Sequence, residues 1–343
     1  MLTGRQALFA ASRVLTPAQF TQRLAGLDSE SLQKGEIVRG RLGIPQDHLQ
    51  AALTQGMSHL HRIKGWYLCP GETHWPTPMR RGVLRGSGKM TPSPRVAIIG
   101  ARRADPKGLE TAVRVATAAV HAGYVVVSGG ALGIDAAAHQ GALAAGGLCA
   151  LVFGSGLNEV SPRRNRPIFN QVRANGVWLS PFPCEAPPTP WRFPERNRWI
   201  AALSERVVVV QAAMGSGALY TARIALKLGR EVFVVPGNMD DPLHAGCHAL
   251  LAEGAQVLAT PGHCFPTLPR PVSQPSINQG PASAKAARLW RLTSGEAKSI
   301  GEFTAELGGE ISDVSALAVQ LEIAGWLIRH PSGGYTRGRP ECL

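Results

Sequence analysis

The stretch RVAIIGARRADPKGLETAVRVATAAVHAGYVVVSGG, residues 95–130, decides the fold because it reads as one strand, one helix and a second strand. Its two ends are short apolar runs rich in valine and isoleucine, which is typical of strands buried on both faces of a sheet. Between them, Asp105 is placed as a helix N-cap before Pro106, apolar residues recur at helical spacing, and Gly123 ends the pattern. The stretch therefore predicts one unit of a parallel sheet with its crossover helix.

Further apolar runs continue this alternation along the chain. They lie at residues 149–156, 176–180, 206–213 and 231–237, with helical patterns between them, and AQVL at 255–258 is a candidate for a last strand. Repeated alternation of strand and helix predicts an α/β fold with an open, doubly wound, mostly parallel sheet. In such a sheet, ligands bind outside the carboxyl ends of the strands.

Three other segments flank this predicted core, which we place at residues 91–260. Residues 1–90 hold short helical patterns and an irregular or β segment, which predicts a small, mainly helical N-terminal module. Residues 261–284 contain six prolines and no acidic residue, a composition typical of an extended linker. Residues 285–343 hold three short helical patterns and a hairpin pattern, which predicts a winged-helix domain. Its third helix has no Lys or Arg, which favours a protein-contact or vestigial role over DNA reading.

The charge of the chain indicates an anionic partner. The 343 residues include 36 Lys and Arg against 23 Asp and Glu, a net charge of +13. The excess lies in residues 1–94, with 12 basic against 5 acidic residues, and in 95–262, with 16 against 11. Such a balance favours a nucleic-acid partner, and a merely solvated basic surface is the alternative.

The same composition excludes several classes of protein. No apolar run is long enough to span a bilayer and no signal peptide is evident, so we expect no membrane association and a cytoplasmic protein. The six cysteines form no C-x-x-C pair, which indicates neither a zinc site nor a disulfide framework.

Glycine-rich loops follow four of the predicted strands, at residues 100–108, 128–135, 154–165 and 215–222. Glycine lets the backbone N–H groups of such a loop approach an anion, although it also closes any tight turn between strand and helix. Arginines in and near the loops, including Arg163 and Arg164, favour the anion site. The candidate phosphate-binding residues in these loops are Gly100, Arg102, Arg103, Ser128, Gly129, Gly154, Ser155, Gly156, Ser216 and Gly217.

The segment WRFPERNRWIAALS, residues 191–204, predicts a helix whose first turn contains Arg196 and Arg198. The helix dipole disfavours cations at this end, so the two arginines are expected to form one wall of an anion site. Phe193 suits a nucleotide base, and with Asn197 it completes the set of candidates.

No pattern for catalysis, metal binding or a bound cofactor stands out. The G-x-G-x-x-G and G-x-x-x-x-G-K-S/T fingerprints and G-x-S-x-G are missing. Asp135 and His139 lie one helical turn apart, for which a structural role is favoured. His244 and His248 lack the glutamate of H-E-x-x-H. We therefore predict no catalytic residue, no metal and no cofactor.

Six ordered motifs between residues 95 and 260 resemble the DprA or Smf family of DNA-processing proteins. They are VAIIGARRADPKGLE, VVSGGALGIDAAAHQGALAAGG, LVFGSGLNEVSPRRN, FPERNRWIAALS, GSGALYTARIALKLGREVFVVPG and GCHALLAEGA. The resemblance implies a bacterial cytoplasmic protein with a Rossmann-like core that binds single-stranded DNA and forms a homodimer. It also implies a binding factor, not an enzyme, that loads the RecA recombinase during natural transformation.

The resemblance also assigns residues to roles. It places the DNA pocket at Arg102, Phe193, Arg196, Asn197 and Arg198. It places the dimer contact at the end of the core, where Leu250, Leu251 and Val257 are apolar candidates, with simple packing of the last helix as the alternative.

Three residues depart from the family pattern. Ala101 stands where the family has serine, and Pro181 and Gln211 stand where it has acidic residues. A nucleotide-processing enzyme similar to phosphoribohydrolases is the alternative function. However, its loop carries a following glutamate where this chain has GSGALYTA and Arg223.

Overall fold

The computed structural model describes residues 2–265, 284–293, 297–323, 326–330 and 333–337. The chain divides into two units, residues 1–269 and residues 270–343. None of the helices in the described ranges has the length and apolarity needed to cross a lipid bilayer.

A nine-stranded sheet organises the first unit. Its strands are β1 (Gly65–Leu68), β2 (Leu84–Gly88), β3 (Arg95–Ile99), β4 (Val125–Ser128), β5 (Cys149–Val152), β6 (Gly176–Ser180), β7 (Arg206–Val209), β8 (Glu231–Val234) and β9 (Gln256–Val257). They lie in the order β1-β2-β6-β5-β4-β3-β7-β8-β9. The strands from β3 to β9 are all parallel, which confirms the predicted α/β, doubly wound, mostly parallel sheet. The chain order reverses between β3 and β7, and this reversal is the switch point where such folds bind ligands.

The helices of the first unit are α1 (Gly4–Val14), α2 (Pro17–Arg23), α3 (Ser29–Gln33), α4 (Gly35–Leu42), α5 (Gln46–Arg62), α6 (Pro106–His121), α7 (Ile134–Ala144), α8 (Arg166–Ala174), α9 (Arg192–Leu203), α10 (Gly217–Lys227) and α11 (Ala245–Ala252), with a one-turn 3-10 helix at Arg163–Asn165. Helices α9, α10 and α11 cover one face of the sheet, and α6, α7 and α8 cover the other. Alternate residues of each central strand pack into one or the other apolar layer, because successive side chains of a strand point to opposite faces. Helix α6 begins as predicted, with the Gly108 N–H donating to Asp105 Oδ1 at 2.6 Å.

The N-terminal region corrects the predicted boundary at residue 90. Helices α1 to α5 pack around an apolar core of their own, but β1 and β2 join the main sheet as an antiparallel extension of β6. Arg85 of β2 is fully buried at this junction, where it donates to Ser12 Oγ at 2.5 Å and to the carbonyl oxygen of Pro181 at 3.3 Å. The sheet therefore starts at Gly65, inside the segment predicted as a separate module.

The other end of the core also extends further than predicted. Cys264 and Phe265 are buried against the sheet, and the Phe265 ring lies 5.2 Å from that of Tyr124. Residues 261–265 are therefore packed, and the rest of the predicted linker, apart from Ala284, lies outside the described residues.

The second unit contains three helices and a hairpin in the predicted order. They are α12 (Ala284–Leu292), α13 (Ile300–Leu307), α14 (Ile311–Ile323), β10 (Leu327–Arg329) and β11 (Tyr335–Arg337). Its core includes Leu289, Phe303, Val314 and Leu327, and β10 pairs antiparallel with β11. The identification of this unit as a winged helix stays a prediction.

Candidate functional site

A cleft of about 510 Å³ lies at the switch point, between the carboxyl ends of β3 and β7. Gly100, which follows β3, borders it, and a Cβ there would lie only 2.8 Å from the Gln211 carbonyl oxygen and from Ile134. Only glycine fits this turn. Helix α10 begins at the opposite wall with Ser216 as N-cap, whose hydroxyl is buried without a hydrogen-bond partner. The first N–H groups of a helix lack partners within it, so this wall offers donors to an anion.

An aromatic ring and two guanidinium groups lie together beside the cleft, in a smaller cavity that shares both arginines with it. Arg102 and Arg103 are exposed in the loop after β3 and line the cleft. The guanidinium carbon of Arg102 lies 5.6 Å from the centre of the Phe193 ring, and that of Arg196 lies 5.8 Å from it. Gly154 supports the ring from below, because a Cβ there would lie 2.8 Å from Phe193. The arrangement offers a face for stacking between positive charges.

Arg196 is buried, in contrast to the exposed phosphate ligand that the sequence predicted. Its Nη1 donates to the carbonyl oxygens of Gly129 at 2.6 Å and Val152 at 2.7 Å. Burial lowers its pKa to about 10, and the neighbouring Asp135 opposes that shift, so Arg196 stays charged at neutral pH. Burial also raises the pKa of Asp135, which Arg196 opposes. Arg196 thus ties the ends of β4 and β5 together while still bordering the cleft.

Arg198 does not share a wall with Arg196, and this corrects the prediction from the sequence. Two residues along a helix are about 200° apart around its axis, so the two arginines point to different sides of α9. Arg198 is exposed, lies 3.7 Å from the Glu195 carboxylate, and lines a separate groove. Asn197, between them, borders the cleft and donates to the Gly217 carbonyl oxygen at 3.4 Å, which joins α9 to α10.

Three predicted phosphate ligands, Ser128, Ser155 and Gly156, do not line the cleft. The Ser128 hydroxyl is buried and donates to the Ile98 carbonyl oxygen at 2.7 Å. Ser155 is buried as well, and the Gly156 N–H donates to the carbonyl oxygen of Ala186 at 2.7 Å. The Ser155 hydroxyl is buried without a hydrogen-bond partner among the described residues.

Gly129 and the loop at residues 154–165 contribute to a smaller cavity beside the cleft. This cavity of about 130 Å³ is bordered by Gly129, Arg102, Phe193 and Ser161. Arg163 and Arg164 are exposed on the 3-10 helix and line neither cavity.

The structure also explains one departure from the family pattern. Gln211 is buried after β7, and its Oε1 accepts from the Asp105 N–H at 3.3 Å, so its amide anchors the start of α6. Leu243, from the loop after β8, closes one side of the cleft, and no sequence pattern marked it.

The two histidines with helical spacing have partners of their own. His244 Nδ1 lies 2.7 Å from Asp241 Oδ2, and His248 Nε2 lies 3.3 Å from the Gly237 carbonyl oxygen.

Two of the three predicted dimer residues remain candidates. Leu250 is fully buried in the core and cannot contact a partner, which corrects that prediction. Leu251 is partly buried, and Val257 is 42% exposed on the edge strand β9.

Comparison with known proteins places this architecture in a family. Residues 78–268 match the family described as DNA recombination-mediator protein A. Protein Smf of Escherichia coli strain K12 is 36% identical over 231 residues, which are 64% of this chain and 61% of that relative. The chain thus spans about three fifths of the length of this curated relative.

Two solved structures share the fold. DNA processing protein A from Streptococcus pneumoniae has a TM-score of 0.57 and 27% identity, over 75% of this chain and 93% of that chain. DNA processing protein A from Helicobacter pylori, a protein studied for its single-stranded DNA binding mode, has a TM-score of 0.53 and 29% identity, over 58% of this chain and 92% of that chain. With the match of the family over residues 78–268, these likenesses show that the chain belongs to the DprA/Smf family of DNA-processing proteins.

Proposed function

We propose that this chain binds single-stranded DNA in the cleft between the ends of β3 and β7, without catalysing a reaction. The observation that carries the proposal is the position of the Phe193 ring, with the guanidinium carbons of Arg102 and Arg196 at 5.6 and 5.8 Å from its centre. A base stacks on the ring, and phosphates meet Arg102, Arg103 and the N-terminus of α10. The relative from Helicobacter pylori supports this assignment because its binding of single-stranded DNA has been studied directly.

The shape of the site favours a single strand over a duplex. Phe193 is only partly exposed and borders the smaller cavity beside the cleft, so a base must leave its neighbours to stack on the ring. Bases of a single strand can be splayed out in this way, whereas those of a duplex are held in a stack.

The lining of the cleft supports a binding role and not hydrolysis. Among the described residues that line it, Asp135 is the one carboxylate, and there is no histidine or cysteine. Asp135 is buried beside Arg196 and accepts a hydrogen bond from the Ala131 N–H at 3.2 Å. A phosphoribohydrolase-like reaction requires a free carboxylate, and these residues do not offer one.

The finer parts of the proposal follow from family membership. We propose that the protein is cytoplasmic, that it forms a homodimer, and that it loads the RecA recombinase onto single-stranded DNA during natural transformation. RecA filament formation on single-stranded DNA, with and without this protein, tests the loading role directly.

Fluorescence anisotropy with a labelled oligothymidylate and a duplex of equal length tests the binding proposal. We expect wild type to bind the single strand more tightly than the duplex. We expect Arg102→Glu to abolish binding of the single strand. Arg114→Glu is a matched control, since Arg114 is exposed on α6, away from the cleft. Equal binding of wild type and Arg102→Glu would contradict the assignment of the site.

A further inference from the structure

The groove that contains Arg198 is a second basic and aromatic site, on the other side of α9 from the cleft. This α9 groove has a volume of about 850 Å³, and its lining includes Arg80, Arg81, Arg198, Trp191 and Tyr220. It adjoins a deeper recess of about 260 Å³, which shares Arg81 and Trp191 with it and reaches towards Trp199. Among the described lining residues, none is shared between either cavity and the cleft.

The recess is surrounded by residues with unpaired donors. Four buried side-chain N–H groups without a hydrogen-bond partner belong to residues that line it, namely Arg13 Nε, Arg81 Nε, Arg192 Nε and Trp199 Nε1. Buried polar groups in folded proteins are nearly always paired, so each exception calls for an explanation. These four atoms have less than 1 Å² of accessible surface each, so a ligand in the recess could pair with them only after the lining side chains shift.

The mouth of the recess carries a rigid aromatic surface. The Trp191 side chain is 52% exposed, yet two contacts fix its position. The guanidinium carbon of Arg192 lies 4.8 Å from the centre of the Trp191 ring, and the Phe182 ring makes an edge contact with a distance of 5.9 Å between ring centres. Tyr220 of α10 is 45% exposed in the same groove. Exposed aromatic rings held in place are the surfaces on which the bases of a single strand stack.

The rim supplies positive charge that is poorly neutralised within the groove. Arg80 is exposed, and Arg198 has its nearest carboxylate, Glu195, at 3.7 Å. Among the described residues that line the groove, Glu195 is the one acidic residue, against three arginines. Exposed guanidinium groups beside aromatic rings suit the phosphates and bases of one strand.

We propose that the α9 groove binds a second stretch of the single strand that occupies the cleft, with a base in the recess and phosphates at Arg80 and Arg198. This inference rests on the proposed function of the cleft. The two sites adjoin, because Asn197 borders the cleft and Arg198 the groove, and Thr221 borders the cleft and Tyr220 the groove. Single-stranded DNA that leaves the cleft across α9 and α10 therefore enters the α9 groove.

Oligothymidylates of increasing length test the proposal, with affinity measured by anisotropy across a range of salt concentrations. The double variant Arg80→Ala/Arg198→Ala should bind a short oligonucleotide like wild type, because a short strand fills the cleft alone. It should bind a long one at least about tenfold more weakly, with a salt slope reduced by about 1.4, which is two phosphate contacts at about 0.7 each. Arg114→Ala, which removes an exposed charge from the other face, is the control.

The outcomes separate this inference from the proposed function. If Arg102→Glu abolishes binding at every length while the double variant matches wild type, the cleft is correct and the groove is not part of the track. If wild type binds no single strand of any length, both proposals fail.

Tryptophan fluorescence tests the recess independently. Long oligothymidylates should quench the emission of wild type more than that of Trp191→Phe, and short ones should quench both equally. Strong quenching by thymidine monophosphate alone, with no dependence on strand length, would assign the recess to a free nucleotide and overturn the proposal.

Discussion

The guanidinium Nη1 of Arg196 lies 2.6 Å from the carbonyl oxygen of Gly129, just beyond the end of β4. The same nitrogen lies 2.7 Å from the carbonyl oxygen of Val152 at the end of β5. One buried cation therefore joins two adjacent strand ends directly below the cleft. The residue that most shapes the candidate binding site is at the same time part of the framework of the fold.

Replacement of Arg196 should therefore destabilise the protein as well as weaken binding. Arg196→Ala leaves two buried carbonyl oxygens and Asp135 without their cation, which costs about 3 kcal/mol in the free energy of unfolding. Urea denaturation of wild type and variant measures this difference. Arg102→Ala is the matched comparison, because Arg102 is exposed and its loss should change stability by less than about 0.5 kcal/mol. Equal stability of the two variants would contradict the framework role.

Arg102 should instead contribute to binding through phosphate contact. Arg102→Ala should reduce the slope of log affinity against log salt concentration for a short single strand by about 0.7, the value expected for one phosphate contact. Titrations at several salt concentrations measure the slope. A lower affinity with an unchanged slope would indicate that Arg102 acts only by supporting the Phe193 ring.

Two glycines, one beside the Phe193 ring and one away from the cleft, should respond differently to the same substitution. In Gly154→Ala the new Cβ would lie 2.8 Å from Phe193, so the ring must move and lose its stacking position. Base stacking on an aromatic ring contributes about 1–3 kcal/mol, so affinity for single-stranded DNA should fall by about fivefold or more. In Gly40→Ala, on α4, no atom lies within 4 Å of the new Cβ and the residue does not line the cleft, so binding should stay close to that of wild type. Equal affinities of the two variants would show that Phe193 does not support a base.

The sequence was sufficient to predict the parallel part of the sheet but not its antiparallel edge. Parallel strands buried on both faces are continuous apolar runs, and β3 to β8 all have that pattern. Strand β2 reads LRGSG, with a charged residue and two glycines, and no period of a strand is visible in it. Arg85 is tolerated there because Ser12 and Pro181 accept its hydrogen bonds, and those partners are distant in sequence.

The sequence was sufficient to predict which loops form the candidate site. It was not sufficient to predict the orientation of the individual side chains. Arg196 and Arg198 are both basic and close in sequence, yet helix geometry separates them into the cleft and the α9 groove. That separation follows from the helical period and was accessible from the sequence. The contribution of Arg80 and Arg81 to the α9 groove could not be predicted from the sequence. It depends on how the segment between β1 and β2 packs against α9.

His139 should make the protein sensitive to mild acid. It is fully buried, and burial lowers its pKa from 6.5 to about 4. Between these values the unfolded chain binds a proton that the folded chain does not, so stability falls as the pH decreases from 6.5 to 4. The full effect is about 3 kcal/mol at about 1.4 kcal/mol per pKa unit.

His139→Gln isolates this contribution, since the variant keeps a polar side chain but cannot titrate. Urea denaturation at several pH values should show that the stability difference between wild type and variant shrinks or changes sign towards acid. Two parallel curves between pH 6.5 and 4 would exclude His139 as the titrating group.

The exposed edge of β9 should control the proposed dimer. Strand β9 is the last strand of the sheet, and its two residues, Gln256 and Val257, are both exposed. An exposed apolar edge strand is a surface that a second copy can cover, and a charge on it opposes such pairing. Val257→Glu should therefore shift the protein from dimer to monomer in sedimentation velocity without loss of stability. Leu250→Ala should have the opposite pair of effects. It should lower the free energy of unfolding by about 3 kcal/mol because Leu250 is in the core, but the folded fraction should still form dimers. A dimer that persists in Val257→Glu would place the contact between subunits elsewhere on the protein.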